Sequence, residues 1–339
     1  MSILPFFRSK RLAIDLGTSN CLVWASGEGV VVSEPSVVAV DTISGRVVAV
    51  GTEAAEMLGR TNAEVLAQKP LKDGVVADFF VAEAMLAYFM EKVGASGFFR
   101  PEVMVCVPTG ITQVERRAVL EATVAAGARS AYLIEQPLAA ALGAKLPIES
   151  AQGLMIVDIG GGSTGAAVVS LGGIVCANTV RVGGQALDEA IANYVRRIHN
   201  LVIGERMAEE IKMKIGSAAA FGAKKTLEVR GRDAILGMPK TISVDSYEVS
   251  EAMAATLATI VACVKSVLGE TPPELASDII DRGIVLCGGG ANLAGFDRLL
   301  RQQTNLPVHV AEDPMRCVVY GAGMAIENID TLRRVLSVR

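Results

Sequence analysis

Two aspartates, Asp15 and Asp158, each interrupt an apolar strand-like run and introduce a short stretch of glycines and hydroxylated residues. The first stretch reads LAIDLGTSNCLVW over residues 12–24, and the second reads IVDIGGGSTGAAVVS over 156–170. An ordinary β-hairpin turns with one glycine or an Asn-Gly pair. Three in a row, Gly160, Gly161 and Gly162, cost conformational entropy on folding, so something besides turning favours them. Close backbone approach to a ligand is the physical reason that fits, because exposed N–H groups in a turn form a concavity for anions. Ser163 and Thr164 add hydroxyls to the second stretch, and Gly17, Thr18, Ser19 and Asn20 repeat the layout in the first. A carboxylate at the head of each stretch suits a divalent cation, held directly or through water. Phosphate with Mg2+ is the chemistry that such residues serve. A third element, IVLCGGGANLAGFDRLL at 284–300, sets Gly288, Gly289, Gly290, Ala291 and Asn292 between a strand-like run and a helical pattern. Glycines there favour a nucleotide's phosphates or its adenosine end. Each stretch alone also fits a structural turn; the three in this order point to a nucleotide.

The elements that must carry these residues follow from periodicity. Residues 81–93, VAEAMLAYFMEKV, are apolar at helical spacing, and EVMVCVPTG, from residue 102, reads as a buried strand. The next segment, TQVERRAVLEATVAAG, opens with a Thr-x-x-Glu capping box from Thr112 to Glu115. Strand-like runs follow each Asp-Gly stretch, GVVVSEPSVVAV in one half and GGIVCANTVRVGG in the other. The chain therefore reads as two related α/β halves with helices on both sheet faces. Its 339 residues exceed one ordinary core, so two or more domains are expected. A formal charge of −4 and a pI near 5.5 give no reason to expect nucleic acid as a partner. Six scattered cysteines lack CxxC pairs and metal-site spacing, which suits a reducing, cytosolic setting. Mean hydropathy is +0.43, but charged residues break every apolar run before roughly 18 residues, so no bilayer-spanning segment is expected.

The motifs together resemble the superfamily of actin, sugar kinases and heat-shock chaperone ATPases, and within it the MreB family of bacterial actin-like proteins. The resemblance runs through IDLGTSN at 14–20, EPSVVAV at 34–40, PLKDGVVADF at 70–79 and VERRAVLEA at 114–122. It continues through VDIGGGST at 157–164, YVRRIHNLVIGER at 194–206, TPPELASDIIDRGIVLCGGGANL at 271–293 and GAGMA at 321–325, and so covers nearly the whole chain. It implies an actin-like ATPase fold: two duplicated ribonuclease-H-like halves, a nucleotide cleft and two smaller inserted subdomains. The implied boundaries put one large subdomain at 1–30, 67–142 and 319–339, and the other at 143–180 and 243–318. The small subdomains fall at 31–66 and 181–242.

The resemblance also implies roles. ATP or ADP with Mg2+ would be held by the three glycine stretches together with Gly183 and Gly184. Asp15 and Asp158 would place the Mg2+, mainly through water. Glu209, Glu210, Ile211 and Lys212, on the helical run GERMAEEIKMKIG, match the family's adenosine-contacting stretch; read without the family they form a solvated charged face. The catalytic position departs from the pattern. The family segment usually ends in Glu-Glu-Pro or Asp-Glu-Pro, with its second acid orienting the attacking water, whereas this chain has Glu135, Gln136 and Pro137. An amide orients water but does not take its proton. Eukaryotic actin has glutamine at the matching place, and an acid-to-amide change made to trap ATP would leave the same residue; the sequence fits both. Thr164 is the further candidate for holding the water.

Two apolar elements bear on partners. Ile3, Leu4, Phe6 and Phe7 stand beside Arg8, Lys10 and Arg11, and Phe98 and Phe99 lie in a Gly/Pro-bounded loop. Each alone fits its own core or an anionic membrane surface; the resemblance favours lipid. The implied protein is a homopolymer on the inner face of the cell membrane, serving rod shape and cell-wall synthesis beside membrane proteins of that machinery. A soluble sugar-kinase-like phosphotransferase is the alternative, lacking here a recognisable catalytic aspartate and sugar-pocket motif. A chaperone ATPase is disfavoured because the sequence stops at Arg339 without a substrate-binding domain.

Overall fold

The computed structural model describes residues 10–61, 64–72, 75–76, 78–95, 100–219 and 223–329. The chain divides into two units, Met1–Gly143 with Val318–Arg339, and Ala144–Cys317. Both apolar elements read as membrane-facing, residues 3–7 and 98–99, lie outside the described residues.

The first unit begins with an antiparallel meander, β1 (Arg11–Leu16), β2 (Asn20–Ala25) and β3 (Gly29–Pro35). The chain then builds a small antiparallel sheet from β4 (Val38–Asp41), β5 (Val47–Val50) and β6 (Val65–Gln68), with α1 (Thr52–Met57) before its last strand. A short pair, β7 (Leu71–Lys72) and β8 (Val75–Val76), leads to α2 (Phe79–Lys92), whose first turn is capped by the Asp78 side chain accepting from Val81 N–H. Next come β9 (Glu102–Val107), α3 (Gln113–Ala125), β10 (Ser130–Glu135) and α4 (Gln136–Gly143). The capping box at Thr112 and Glu115 is present at the start of α3. The large sheet has the order β10-β9-β1-β2-β3, with β9 parallel to both β1 and β10. Leu12, Ala13 and Ile14 of its central strand are fully buried, because helices cover both faces of such a sheet.

The second unit repeats this plan. Its meander is β11 (Leu154–Ile159), β12 (Thr164–Ser170) and β13 (Gly173–Val180), followed by α5 (Gly184–His199). A small sheet of β14 (Leu201–Val202), β15 (Thr226–Asp233) and β16 (Pro239–Asp245) comes next, with α6 (Glu205–Ile215) inserted after β14. The long α7 (Ser246–Glu270), α8 (Pro273–Arg282), β17 (Ile284–Cys287), α9 (Phe296–Thr304) and β18 (Val308–Val310) complete the unit. The large sheet runs β13-β12-β11-β17-β18, with β17 parallel to both β11 and β18. Order and direction match the first sheet strand for strand. The last helix, α10 (Cys317–Glu327), returns to the first unit from Val318 onward.

Helix α7 qualifies the expectation drawn from broken apolar runs. By length and composition alone it is apolar enough to cross a membrane. One face, including Met253, Leu257, Ile260, Val264 and Val267, lies in the unit's core, and the helix packs against β12 and β13. Burial against a sheet explains the apolar content.

Candidate nucleotide-binding site

In the first unit the turn at Gly17–Ser19 joins β1 to β2, directly after Asp15. Asp15 and Thr18 are buried. A Cβ on Gly17 would lie 2.5 Å from the Asn20 carbonyl oxygen, so the tight turn admits no side chain there. The turn is stapled from outside by a residue that the motifs did not single out as functional. Ser36, fully buried, donates its hydroxyl to the Gly17 carbonyl at 2.6 Å and its backbone N–H to the Ser19 carbonyl at 2.9 Å. Its only sequence signal is the family-like segment EPSVVAV.

The second unit's hairpin joins β11 to β12, with Ile159 paired to Thr164 and Gly160 N–H donating to the Ser163 carbonyl at 2.9 Å. Its glycine carbonyls are claimed by a helix. The N–H groups of Gly184 and Gln185 donate to the carbonyls of Gly160 and Gly161, at 2.9 and 2.8 Å. These are first-turn N–H groups of α5, which have no partner within the helix, and its N-cap residue Gly183 supplies no side-chain cap. The hairpin therefore serves as the cap. A Cβ on Gly183 would sit 2.5 Å from the Gly160 oxygen and 2.8 Å from that of Gly161. Gly183→Ala is therefore expected to push the helix end off the hairpin and to destabilise the protein by about 1–3 kcal/mol. Denaturant unfolding measures this, with Gly289→Ala as the control, because a Cβ on Gly289 meets nothing within 4 Å. Thr164 is fully buried and donates its hydroxyl to the Val182 carbonyl at 2.7 Å, so it offers a water only its lone pairs.

Asp158 heads this hairpin, 8% exposed, and burial pushes its carboxyl up to about 6. The Cys287 thiol, which donates to Asp158 Oδ1 at 3.7 Å, partly offsets this. Asp158 makes no ion pair with a described residue. Gly288, at φ +79°, carries the chain over this carboxylate; a Cβ there would lie 2.4 Å from Asp158 Oδ1. The third glycine stretch thus belongs to the same corner as the second. Its glycines do not enter an α-helix directly: residues Gly289–Asn292 form a 3-10 turn, and α9 starts only after the left-handed Gly295.

Glu135 ends β10 and Gln136 starts α4. Glu135 Oε1 accepts from Arg116 Nη2 of α3 at 2.7 Å, an ion pair with both side chains mostly buried. Gln136 is half-buried and its amide bonds to no described residue. The buried Pro137, Leu138 and Ala139 behind it anchor the strand-to-helix junction. On α6, Glu209 is exposed, Ile211 is buried, and Glu210 pairs with Lys214 at 2.6 Å. Lys212 turns to Asp188 and Gly184 of α5. The described cysteines do not add a nucleophile. Burial holds the Cys21 thiol well above its usual range, with Asp15 and Glu34 contributing, and raises Cys317 to about 11.

Comparison with known proteins places this arrangement. A family model described as MreB/Mbl protein matches residues 9–334. The chain belongs to the MreB/Mbl family. Among MreB/Mbl relatives, the Escherichia coli (strain K12) cell shape-determining protein MreB is 52% identical over 328 residues, covering 95% of this chain and 94% of that one. The Bacillus subtilis (strain 168) cell shape-determining protein Mbl is 47% identical over 331 residues, covering 97% and 99%. The structure of MreB5 of Spiroplasma citri bound to ADP superposes with a TM-score of 0.92 at 34% identity, over 97% of this chain and 99% of that one. The MamK double helical filament gives 0.81 at 23% identity, over 94% and 98%, a likeness of fold. The MreB/Mbl chain has the actin-like fold that the sequence led us to expect.

Proposed function

We propose that this MreB/Mbl protein is a cytoskeletal ATPase that binds ATP with Mg2+, assembles into filaments and helps to set cell shape from the cytoplasmic face of the membrane. The observation that carries the reading is the duplicated sheet, each copy of which carries a buried aspartate near the end of its first strand, directly before a glycine-containing turn. Support also comes from the MreB5 structures bound to ADP and to AMPPNP, from a filament of the same fold, and from relatives named for cell shape. In this reading Gly17 to Asn20 and Gly160 to Ser163 hold phosphates, with Gly183 and Gly184 behind the second turn. Glu209, Glu210, Ile211, Lys212 and Gly288 to Asn292 flank the nucleoside. The four subdomains follow the boundaries that the resemblance implies.

The residues present fit a divalent cation. Asp158 is a buried carboxylate that accepts a thiol hydrogen bond and makes no ion pair among the described residues, and a dication held directly or through water offsets that burial. Mg2+ would supply charge neutralisation on transferring phosphate, and Asp15 and Asp158 are the residues that would hold it. Gln136 orients the attacking water through its amide, and Thr164 keeps the loop closed against Val182.

Sedimentation with and without ATP, and with anionic liposomes, tests the whole reading. Filaments and phosphate release are expected with Mg2+ and ATP, and their absence in both assays overturns it. Membrane binding is assigned to residues 3–7 and to Phe98 and Phe99. Burying one phenylalanine contributes roughly 1.5–3 kcal/mol, so each element alone gives weak attachment, which a filament multiplies. Deleting residues 2–7 together with Phe98→Ser and Phe99→Ser should nearly abolish liposome pelleting and leave polymerisation in solution intact. Undiminished pelleting would place the membrane contact elsewhere.

A further inference from the structure

Two adjacent arginines on α3 are used differently. Arg117 points to solvent and pairs with Glu121 one turn along, at 2.6 Å with side chains 80% and 54% exposed. Exposed pairs of that kind contribute little. Arg116 instead reaches out of the helix to Glu135, the last residue of β10, where its Nη2 donates to Oε1 at 2.7 Å. These side chains are only 20% and 28% exposed, so water screens the pair far less. Both ends are fixed. The capping box of Thr112 and Glu115 pins the first turn of α3, and the Arg116 N–H donates to the Thr112 carbonyl at 2.9 Å. Glu135 stands opposite Val107 in the parallel register of β10 and β9. Strand β10 runs into α4 with no loop between them, so Glu135 and Gln136 are successive residues of strand and helix. The buried Pro137 restricts the Gln136 backbone from the other side. The Gln136 amide has no partner among the described residues, so its direction depends on the backbone at this junction.

We propose that Arg116 is a positioning residue for ATP hydrolysis: by anchoring Glu135 it fixes the strand-to-helix junction that aims the Gln136 amide at the attacking water. The inference rests on the nucleotide reading above and on the place of Gln136 in it. Without Arg116, the carboxylate beside Gln136 is left half-buried and uncompensated. It then turns toward solvent and takes the junction with it.

Three measurements on the full chain test this: single-turnover phosphate release with protein in excess over ATP, ATP affinity by titration calorimetry, and ATP-dependent pelleting. The double variant Arg116→Met, Glu135→Gln removes both charges and roughly keeps side-chain volume, so no unpaired charge remains. Its rate is expected to fall on the order of tenfold or more, as a small misplacement of a catalytic group allows, with ATP affinity within about twofold and pelleting unchanged. Arg116→Lys, which keeps a charge-assisted bond to Glu135, should recover most of the rate. In a Gln136→Ala background the double change should cost less than about twofold, because a residue acting through Gln136 then has nothing to position. Where Gln136→Ala gives no measurable release, the recovery by Arg116→Lys decides. If the double variant does not fold, Arg116→Gln replaces it, keeping a neutral bond to Glu135 and losing about threefold or more in rate. An unchanged rate, an equal loss with and without Gln136, or no recovery by Arg116→Lys overturns the proposal. So does a loss of affinity or pelleting that matches the loss of rate. A starting protein that neither binds ATP nor releases phosphate overturns the nucleotide reading itself, a different result.

Discussion

Asp158→Asn is expected to weaken Mg2+-dependent ATP binding by about a hundredfold or more. That scale follows from the ~3–5 kcal/mol lost when one member of a buried charge pair is removed. The same variant should also change how stability depends on pH. In the folded chain the carboxyl is raised from 3.8 to about 6 by burial. The native state therefore binds this proton more tightly than the unfolded chain does. The ionised, buried carboxylate destabilises the fold in full above about pH 6, and that penalty is relieved as pH falls toward 3.8. At ~1.4 kcal/mol per pH unit, the total approaches roughly 3 kcal/mol. Without nucleotide or Mg2+, the starting protein should gain on the asparagine variant by about that amount between pH 7 and pH 4. Denaturant melts at several pH values measure the difference, in which titrations common to both proteins cancel. Parallel curves would show that Asp158 is not the buried carboxylate described here, and unchanged ATP binding would remove it from the cation site.

Gln136→Glu is expected to raise the rate of ATP hydrolysis by about tenfold to a hundredfold, the low end of what a positioned acid or base contributes. The neighbouring acid does not substitute for it. Glu135 is held by Arg116 at 2.7 Å in a largely buried ion pair, which commits its carboxylate to α3. Gln136 has an amide with no partner among the described residues and a rigid junction behind it, so a carboxylate placed there meets water rather than a competing cation. Single-turnover phosphate release is the assay. The gain should appear in kcat with little change in KM, because the substitution leaves the three glycine stretches intact. A glutamate variant no faster than the starting protein would mean that glutamine is the adapted residue, with orientation alone carrying catalysis.

What the sequence reveals about this protein is mostly what is local. The two hairpins are legible because strand, aspartate, glycine and hydroxyl follow each other within about a dozen residues. The Thr112–Glu115 box is legible because both partners lie within one helical turn. The duplication is legible as spacing, and the matching strand orders of the two sheets account for it. Contacts between distant residues leave no such trace. Ser36 is an ordinary serine after a proline until the fold brings it to Gly17, and nothing near Arg116 announces Glu135. Lys212 reads, without the family, as part of a solvated charged face, and nothing near it in the sequence announces its partner Asp188 on another helix. The 3-10 turn after Gly288 was hidden because glycines before a helical pattern read the same whether or not an extra turn intervenes.

Ser36 also has a mechanical meaning. It stands where the chain leaves β3 of the large sheet and enters β4 of the small one, and its two hydrogen bonds fasten that joint to both sides of the Gly17–Ser19 turn. The joint and the turn consequently behave as one solid piece. Any shift of the turn is therefore felt at the root of the small sheet, as at the short arm of a lever. The single buried serine is the pivot of that coupling.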